Sequence, residues 1–317
     1  MAPSRVVIPI SVQQKYGDQP LAKAIAVPVY IASPDAPDQG QVLPLLLDTG
    51  STGVSIFTSA LNGVSLPRQG AIRSLTYGGG DVFVEQSADA IVGLGDARTA
   101  GSIRISLVDS THCATGTSCA SSKPGYLTSQ GFYGILGIGT RGTASDVYSP
   151  ITQLPSTIGR KYVVRAKAGE LIVGATDADL AGFATHALGS PTTNAMLPNG
   201  SPAFDDRDLP ICVGVAGQPA TDCVSSLIDS GTWFLFFAGE TWGTSVDADG
   251  SLHAGTVLES SFPGVFDWKW NAEPGMAYVE SKGLIGGFNR IYGMPFFNAF
   301  DVAYDLDQGT IGVRPSG

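Results

Sequence analysis

Asp48-Thr49-Gly50 and Asp229-Ser230-Gly231 are the two Asp-Thr/Ser-Gly triplets of this chain, 181 residues apart, and each closes an apolar run. Leu45-Leu46-Leu47 leads into the first and Leu227-Ile228 into the second. A carboxyl delivered by a buried strand loses hydration, a cost that a chemical task can justify. Two carboxyls held about 3 Å apart repel by roughly 5 kcal/mol at an effective dielectric near 20, which separates their successive ionisations by several pK units. Such a pair shares one proton across mildly acidic pH, so one member is a base and the other an acid toward a water held between them. Gly50 and Gly231 leave room for the backbone to approach the carboxyls and donate N–H groups. Taken singly, either triplet is an ordinary turn sequence. As a matched pair they point to a duplicated lobe that contributes one acid from each copy.

Elements able to position such a pair must be short and mostly extended. Of 317 residues 43% are hydrophobic, and 41 Gly and 20 Pro punctuate alternating stretches such as Val6-Val7-Ile8-Pro9-Ile10-Ser11-Val12. The pattern predicts a mostly β chain of many strands and turns, long enough for two cores. Helices are predicted to be few, with candidates beginning over Ser51 to Ala60 and Ser145 to Leu154. Residues 193–210, rich in Asn, Gly, Pro and Asp, are predicted to form a surface excursion. The formal charge of −10 offers no basic face for phosphates, which argues against nucleic acid binding. It suits either solubility or an acidic working medium.

The triplets and their surroundings together resemble the pepsin-like, two-lobed aspartic proteases. The first triplet continues as Ser51-Thr52-Gly53 and the second as Thr232, and an apolar-apolar-Gly element follows each, at Ile135-Leu136-Gly137 and Ile291-Tyr292-Gly293. Tyr77-Gly78-Gly79-Gly80 resembles the flap tip, Gly169 to Asp177 the start of the second lobe, and Tyr304 to Val313 the closing hairpin. These markers run in family order from near residue 45 to near residue 313. The resemblance implies a bilobal fold of two β-barrel-like lobes over a shared sheet, with residues 1–167 and 168–317 as the lobes. Val6 to Val12, Lys161 to Arg165 and Thr310 to Arg314 are the matching candidates for that sheet. It implies an acid endopeptidase with Asp48 and Asp229 catalytic, polypeptide substrates, sensitivity to pepstatin-like inhibitors, no cofactor and no metal, and a monomer, since both acids lie on one chain. By the same resemblance Thr49 and Ser230 bond across the lobes, Ser51 and Thr232 orient the outer carboxyl oxygens, and Tyr77, Gly78 and Gly79 fold over substrate. Two departures stand out: Ser55 occupies the position where relatives often carry a Trp that steadies the flap tyrosine, and Trp233 follows Thr232 where many relatives have a small hydroxylic residue. The short interval from Asp48 to Tyr77 and the sparse cysteines point to a bacterial member.

Four cysteines allow three pairings. Turn-rich sequence between Cys113 and Cys119, and between Cys212 and Cys223, favours two local disulfides over metal ligation, because no Cys-x-x-Cys occurs and His112, His186 and His253 are scattered. Disulfides imply an oxidising compartment, hence a secreted or periplasmic protein. No apolar stretch approaches the ~20 residues of a membrane span. The N-terminus runs into a strand pattern without a signal-peptide core, as in a mature domain lacking its leader and pro-segment. Gly137-Ile138-Gly139-Thr140-Arg141-Gly142 fits a dinucleotide fingerprint but lacks the βαβ context that motif needs. Asp247-Ala248-Asp249-Gly250 reads as a hairpin turn rather than a calcium loop, and Trp268-Lys269-Trp270 as strand packing. The rival from another class is a catalytically silent binding or inhibitor protein on the same fold.

Overall fold

The computed structural model describes residues 4–14, 23–116, 119–123, 125–143, 146–190, 195–217, 223–239, 242, 245–280 and 289–317. Its strands form three sheets. A nine-stranded sheet gathers strands between Ser11 and Ile138, and a seven-stranded sheet gathers strands between Leu209 and Tyr292. The third sheet joins both ends of the chain to its middle, in the order Val6–Pro9, Glu170–Val173, Lys161–Arg165, Phe300–Asp305, Thr310–Pro315 and Ala184–Ala187. This is the mostly β, two-lobed architecture with a shared sheet. Residue 167 falls in the turn between Lys161–Arg165 and Glu170–Val173, which are antiparallel neighbours inside the shared sheet. The N-terminal stretch divides: Val6–Pro9 joins the shared sheet and Ser11–Gln14 the nine-stranded one, with the Ile10 N–H bonded to the Gly169 carbonyl at 2.9 Å between them.

The strand Gln41–Asp48 lies between Lys23–Ala32 and Gly134–Ile138, so its last four residues are all buried. A strand covered on both faces reads as a continuous apolar run, which is why Leu45-Leu46-Leu47 does not alternate. Its pairing with Gly134–Ile138 is parallel, with Leu47 beside Leu136 and Asp48 beside Gly137. Thr52–Phe57 then returns antiparallel along the other side of the same strand, Gly53 opposite Gly137. The second half repeats the plan: Val224–Ile228 runs parallel to Arg290–Tyr292, and Leu235–Ala238 pairs antiparallel with Arg290–Tyr292. In each half the glycine of the apolar-apolar-Gly element is where the triplet loop crosses. A Cβ on Gly137 would stand 2.7 Å from the Thr52 carbonyl carbon, and one on Gly293 would stand 2.3 Å from the Thr232 oxygen.

Three expectations need correction. Ser51 to Ala60 does not begin a helix: Thr52–Phe57 is a strand, followed by a single 3-10 turn at Thr58–Ala60. Val54, Ile56 and Phe57 are buried between neighbours, and pairing on both sides overrides local propensity. From Ser145 to Leu154, where 144–145 lie outside the described residues, the only helical element is a 3-10 turn at Ile151–Gln153, bounded by Pro150 and Pro155. Within 193–210, the described part (195 onward) is not a surface excursion. Leu197 and Ala203 pack with Leu306, and Ser201 and Asp206 are buried. Asn199 ties this stretch to the body of the chain, its Nδ2 donating to the Gly159 carbonyl at 2.7 Å. No described helix is long and apolar enough to cross a membrane.

Candidate active site

The strands carrying the two triplets meet where the halves of the molecule touch, and the triplets become one constellation there. Thr49 N–H donates to Ser230 Oγ at 3.1 Å, and Ser230 N–H donates to Thr49 Oγ1 at 2.9 Å. Each hydroxyl in turn donates to the main chain of the opposite strand, Thr49 Oγ1 to the Ile228 carbonyl and Ser230 Oγ to the Leu47 carbonyl, both at 2.8 Å. Four hydrogen bonds related by an approximate two-fold thus lock the loops in register. The Tyr304 phenol, from the shared sheet, interacts with Thr49. Tyr304 stacks on Tyr162 at 4.8 Å, and the Tyr162 hydroxyl donates to the Ile138 carbonyl at 2.7 Å.

Asp48 and Asp229 are 6% and 8% exposed. Gly50 N–H and the Ser51 hydroxyl donate to the two oxygens of Asp48. Gly231 N–H and Thr232 Oγ1 do the same for Asp229, at 2.8 and 2.7 Å. Each glycine also faces the opposite acid: a Cβ on Gly50 would lie 2.6 Å from Asp229 Cγ, and one on Gly231 would lie 2.7 Å from Asp48 Cγ. Only a residue without a side chain lets the carboxyls come this close. Burial pushes the Asp48 carboxyl well above the ordinary carboxylate range, and the neighbouring charge of Asp229 and a hydrogen bond shared with it push the same way. The Ser51 and Gly50 donors oppose this without cancelling it. A proton is therefore kept on the pair to higher pH than on an isolated carboxyl.

Over this pair stands a hairpin of Arg68–Thr76 and Asp81–Leu94, its turn closed by Tyr77 N–H to the Asp81 carbonyl at 2.8 Å and Gly80 N–H to the Tyr77 carbonyl at 2.9 Å. The Tyr77 ring packs on Phe83 at 4.8 Å, and its hydroxyl interacts with Ser55. Burial, then the charge of Asp48, raises the Tyr77 phenol far above its usual range, so it stays a neutral donor. Tyr77 and Gly78 line a cavity of about 440 Å³ with Gly50 and Ser51. Gly79 is exposed at the tip. Trp233 does not line this cavity; its indole meets Phe234 and Tyr278 edge-on, with centroids 4.7 and 6.2 Å away. Cys113 is bonded to Cys119 and Cys212 to Cys223, the local pairing. The first disulfide lies beside the hairpin, where Ala114 N–H donates to the Gly80 carbonyl at 2.8 Å and Ser121 donates N–H and O–H to Asp81 Oδ1 at 2.7 and 2.6 Å.

Sequence reasoning overlooked two groups. Arg141 lies in the glycine-rich stretch read as a stray nucleotide fingerprint. It donates to the Gly50 carbonyl and to Asp206, whose carboxyl also accepts Thr140 N–H at 2.8 Å. A Cβ on Gly139 would stand 3.1 Å from Asp206 Oδ2 and 2.8 Å from the Ser51 carbonyl, so Asp206 sits directly behind the first catalytic-type loop. Under the hairpin, Arg73 Nε donates to buried Glu85 at 2.8 Å, and Ser106 bridges the two. A sequence signal existed for this pair only, since Arg73 and Glu85 are opposed across a predicted hairpin. No local pattern links Arg141 to Asp206.

Comparison with known proteins agrees with this geometry. A family model described as the PE-PGRS C-terminal aspartyl peptidase-like domain matches residues 36–259. Among solved structures, the aspartic proteinase from Irpex lacteus superposes with a TM-score of 0.63 at 16% identity, covering 99% of this chain and 98% of that one. At that identity the likeness speaks for the fold. A search of curated proteins returns no match.

Proposed function

The chain belongs to the PE-PGRS C-terminal aspartyl peptidase-like domain family, and from that premise we propose that it is an acid endopeptidase whose catalytic pair is Asp48 and Asp229. The observation that carries the reading is the reciprocal approach of Gly50 to Asp229 and of Gly231 to Asp48, which brings two buried carboxyls within joint reach of one water. The ionised member removes a proton as that water attacks the peptide carbonyl. The protonated member gives its proton to the carbonyl oxygen as charge develops there, forming a diol. On collapse the member that took the proton from water passes it to the leaving nitrogen, and the other takes a proton back from a diol hydroxyl. Ser51 and Thr232 fix the outer carboxyl oxygens, the Thr49–Ser230 lattice fixes the spacing, and Tyr77 with Gly78 closes over the peptide and excludes water. Residues 1–167 and 168–317 serve as the two lobes, and one chain suffices for the site. The two disulfides favour an oxidising, extracytoplasmic workplace.

The test is cleavage of an acid-denatured protein at pH 3–5 with and without pepstatin. Asp48→Asn and Asp229→Asn each lower the rate by about 10²–10⁴-fold, the usual worth of a general acid or base. Undiminished cleavage by either variant would remove the pair from the mechanism. A chain that binds peptide but never cuts it would be the silent binding protein instead.

A further inference from the structure

Resting on the peptidase reading, we propose that the cavity on the Gly50–Ser51 side of the acid pair is a substrate subsite selective for an acidic side chain, a glutamate or aspartate of the peptide. Three arginines from three separate stretches line it: Arg73 on the hairpin strand, Arg141 after Gly134–Ile138, and Arg207 beyond Asp206. In a chain with 18 Lys and Arg among 317 residues and a net charge of −10, three of those cations gather on the walls of one cavity beside the acid pair, each paired with a carboxylate. The cations stand in front and their partners behind. Arg73 and Arg141 side chains are 31% and 16% exposed, whereas Glu85 and Asp206, which they pair with, are 1% exposed. Arg207 is more open still and pairs with Asp205.

None of the three guanidinium groups is used up by these contacts. Arg73 bonds through Nε and Nη2, Arg141 through both Nη atoms, and Arg207 through Nε and Nη2. Nη1 of Arg73, Nε of Arg141 and Nη1 of Arg207 have no partner among the described residues. An aliphatic side chain in this cavity would strip water from those donors and offer nothing back, and a lysine would meet like charge. A carboxylate supplies acceptors to more than one arginine. Glu85 is the one carboxylate lining the cavity among the described residues; Arg73 and Ser106 hold its Oε1, and its Oε2 is buried away from the cavity space without a hydrogen bond.

Matched peptides, amidated at the C-terminus so that no terminal carboxylate competes, are varied over the two positions on each side of the cleaved bond with Glu, Gln, Leu or Lys. Cleavage is measured as kcat/KM near pH 5, and binding as Kd on the same sequences with a reduced, uncleavable bond. At one position Glu exceeds Gln by about tenfold, as expected for one charge-assisted contact, and Lys is poorest. The advantage shrinks as salt is raised. Arg207→Gln, an exposed site whose replacement strands no buried charge, lowers the Glu-to-Gln ratio several-fold. The subsite is overturned if Glu has no advantage at any position in either measurement, or if Arg207→Gln leaves the ratio unchanged. Cleavage without Glu preference removes the subsite and leaves the peptidase. Glu-selective binding without cleavage of any peptide does the reverse.

Discussion

At Gly50 and Gly231 a single methyl group decides whether the two acids can meet. Gly50→Ala or Gly231→Ala puts a carbon within 3 Å of the opposite carboxyl carbon and forces the pair apart, so either variant loses activity by about 10²-fold or more while the fold survives. Circular dichroism beside the cleavage assay separates those two outcomes. The acids themselves leave a thermodynamic trace. Asp48 has a folded pKa raised by burial and by Asp229, so above the unfolded value near 3.9 the native state holds a proton that the unfolded chain has released. Stability contributed in this way is complete below the unfolded value and drains away as pH climbs through the folded one. Asp48→Asn has no charge to bury, so its Tm exceeds that of the parent at pH 7, and the gap closes below about pH 4. Thermal melts across pH check this, and a gap independent of pH refutes it. Asp179 behaves oppositely. Its hydrogen bonds with Arg5 hold the carboxyl well below the usual range, so that contribution is present above the unfolded value and is lost only as pH falls through the folded one, in strong acid.

The hairpin Arg68–Thr76 with Asp81–Leu94 is the element whose behaviour matters most. Its outer strand is the edge of the nine-stranded sheet and is exposed almost throughout, so it is held mainly through its partner strand and its tip. At the tip the contacts are unequal. Gly80 and Asp81 are tied to the segment closed by the Cys113–Cys119 disulfide, and Tyr77 is tied to Ser55 and Phe83. Ser55 stands at the position where relatives place an indole, and its hydroxyl interacts with the Tyr77 phenol. Tyr77→Phe and Ser55→Ala each delete that interaction, and each lowers kcat/KM by about 3- to 10-fold, the order of one neutral hydrogen bond. Because the same interaction is lost twice, the double variant is little worse than either single one, and a double-mutant cycle reads this directly. Cys113→Ser with Cys119→Ser leaves the core intact and loosens the tip, raising KM several-fold with a smaller change in kcat.

Across the whole molecule, the halves share the six-stranded sheet, and three polar clasps lie close to the acid pair. These are the Thr49–Ser230 lattice, the Tyr304 contact with Thr49, and Arg141 reaching from the Gly50 carbonyl to Asp206. The third pairs Arg141 with fully buried Asp206, and removing that carboxylate leaves Arg141 without its counter-charge and the Thr140 N–H without its acceptor. Asp206→Ala therefore costs about 3–5 kcal/mol in denaturant unfolding, far more than an exposed ion pair. Since the six-stranded sheet draws strands from the N-terminus, the middle and the C-terminus, calorimetry shows one cooperative transition for parent and variant alike. Two resolved transitions would mean that the shared sheet does not couple the lobes.

The triplets, the apolar-apolar-Gly elements and the hairpin tip were legible before any coordinates, each for a local reason. A strand buried on both faces must be apolar up to the residue it delivers, and a backbone crossing of another loop admits only glycine. Local propensity misled at Ser51 to Ala60, where pairing on two sides made a strand of a stretch that could begin a helix. The described part of 193–210 was misjudged because Asn199 and Asp206 look solvated until their buried partners are known. Arg141 and Asp206 are 65 residues apart, and Arg73, Arg141 and Arg207 come from three stretches. Composition and order alone thus determined that two acids arrive on matching strands of a duplicated β framework. Which arginines surround the space beside them was decided only by the folded chain, because charges distant in sequence acquire a common environment only when packing brings them to one wall.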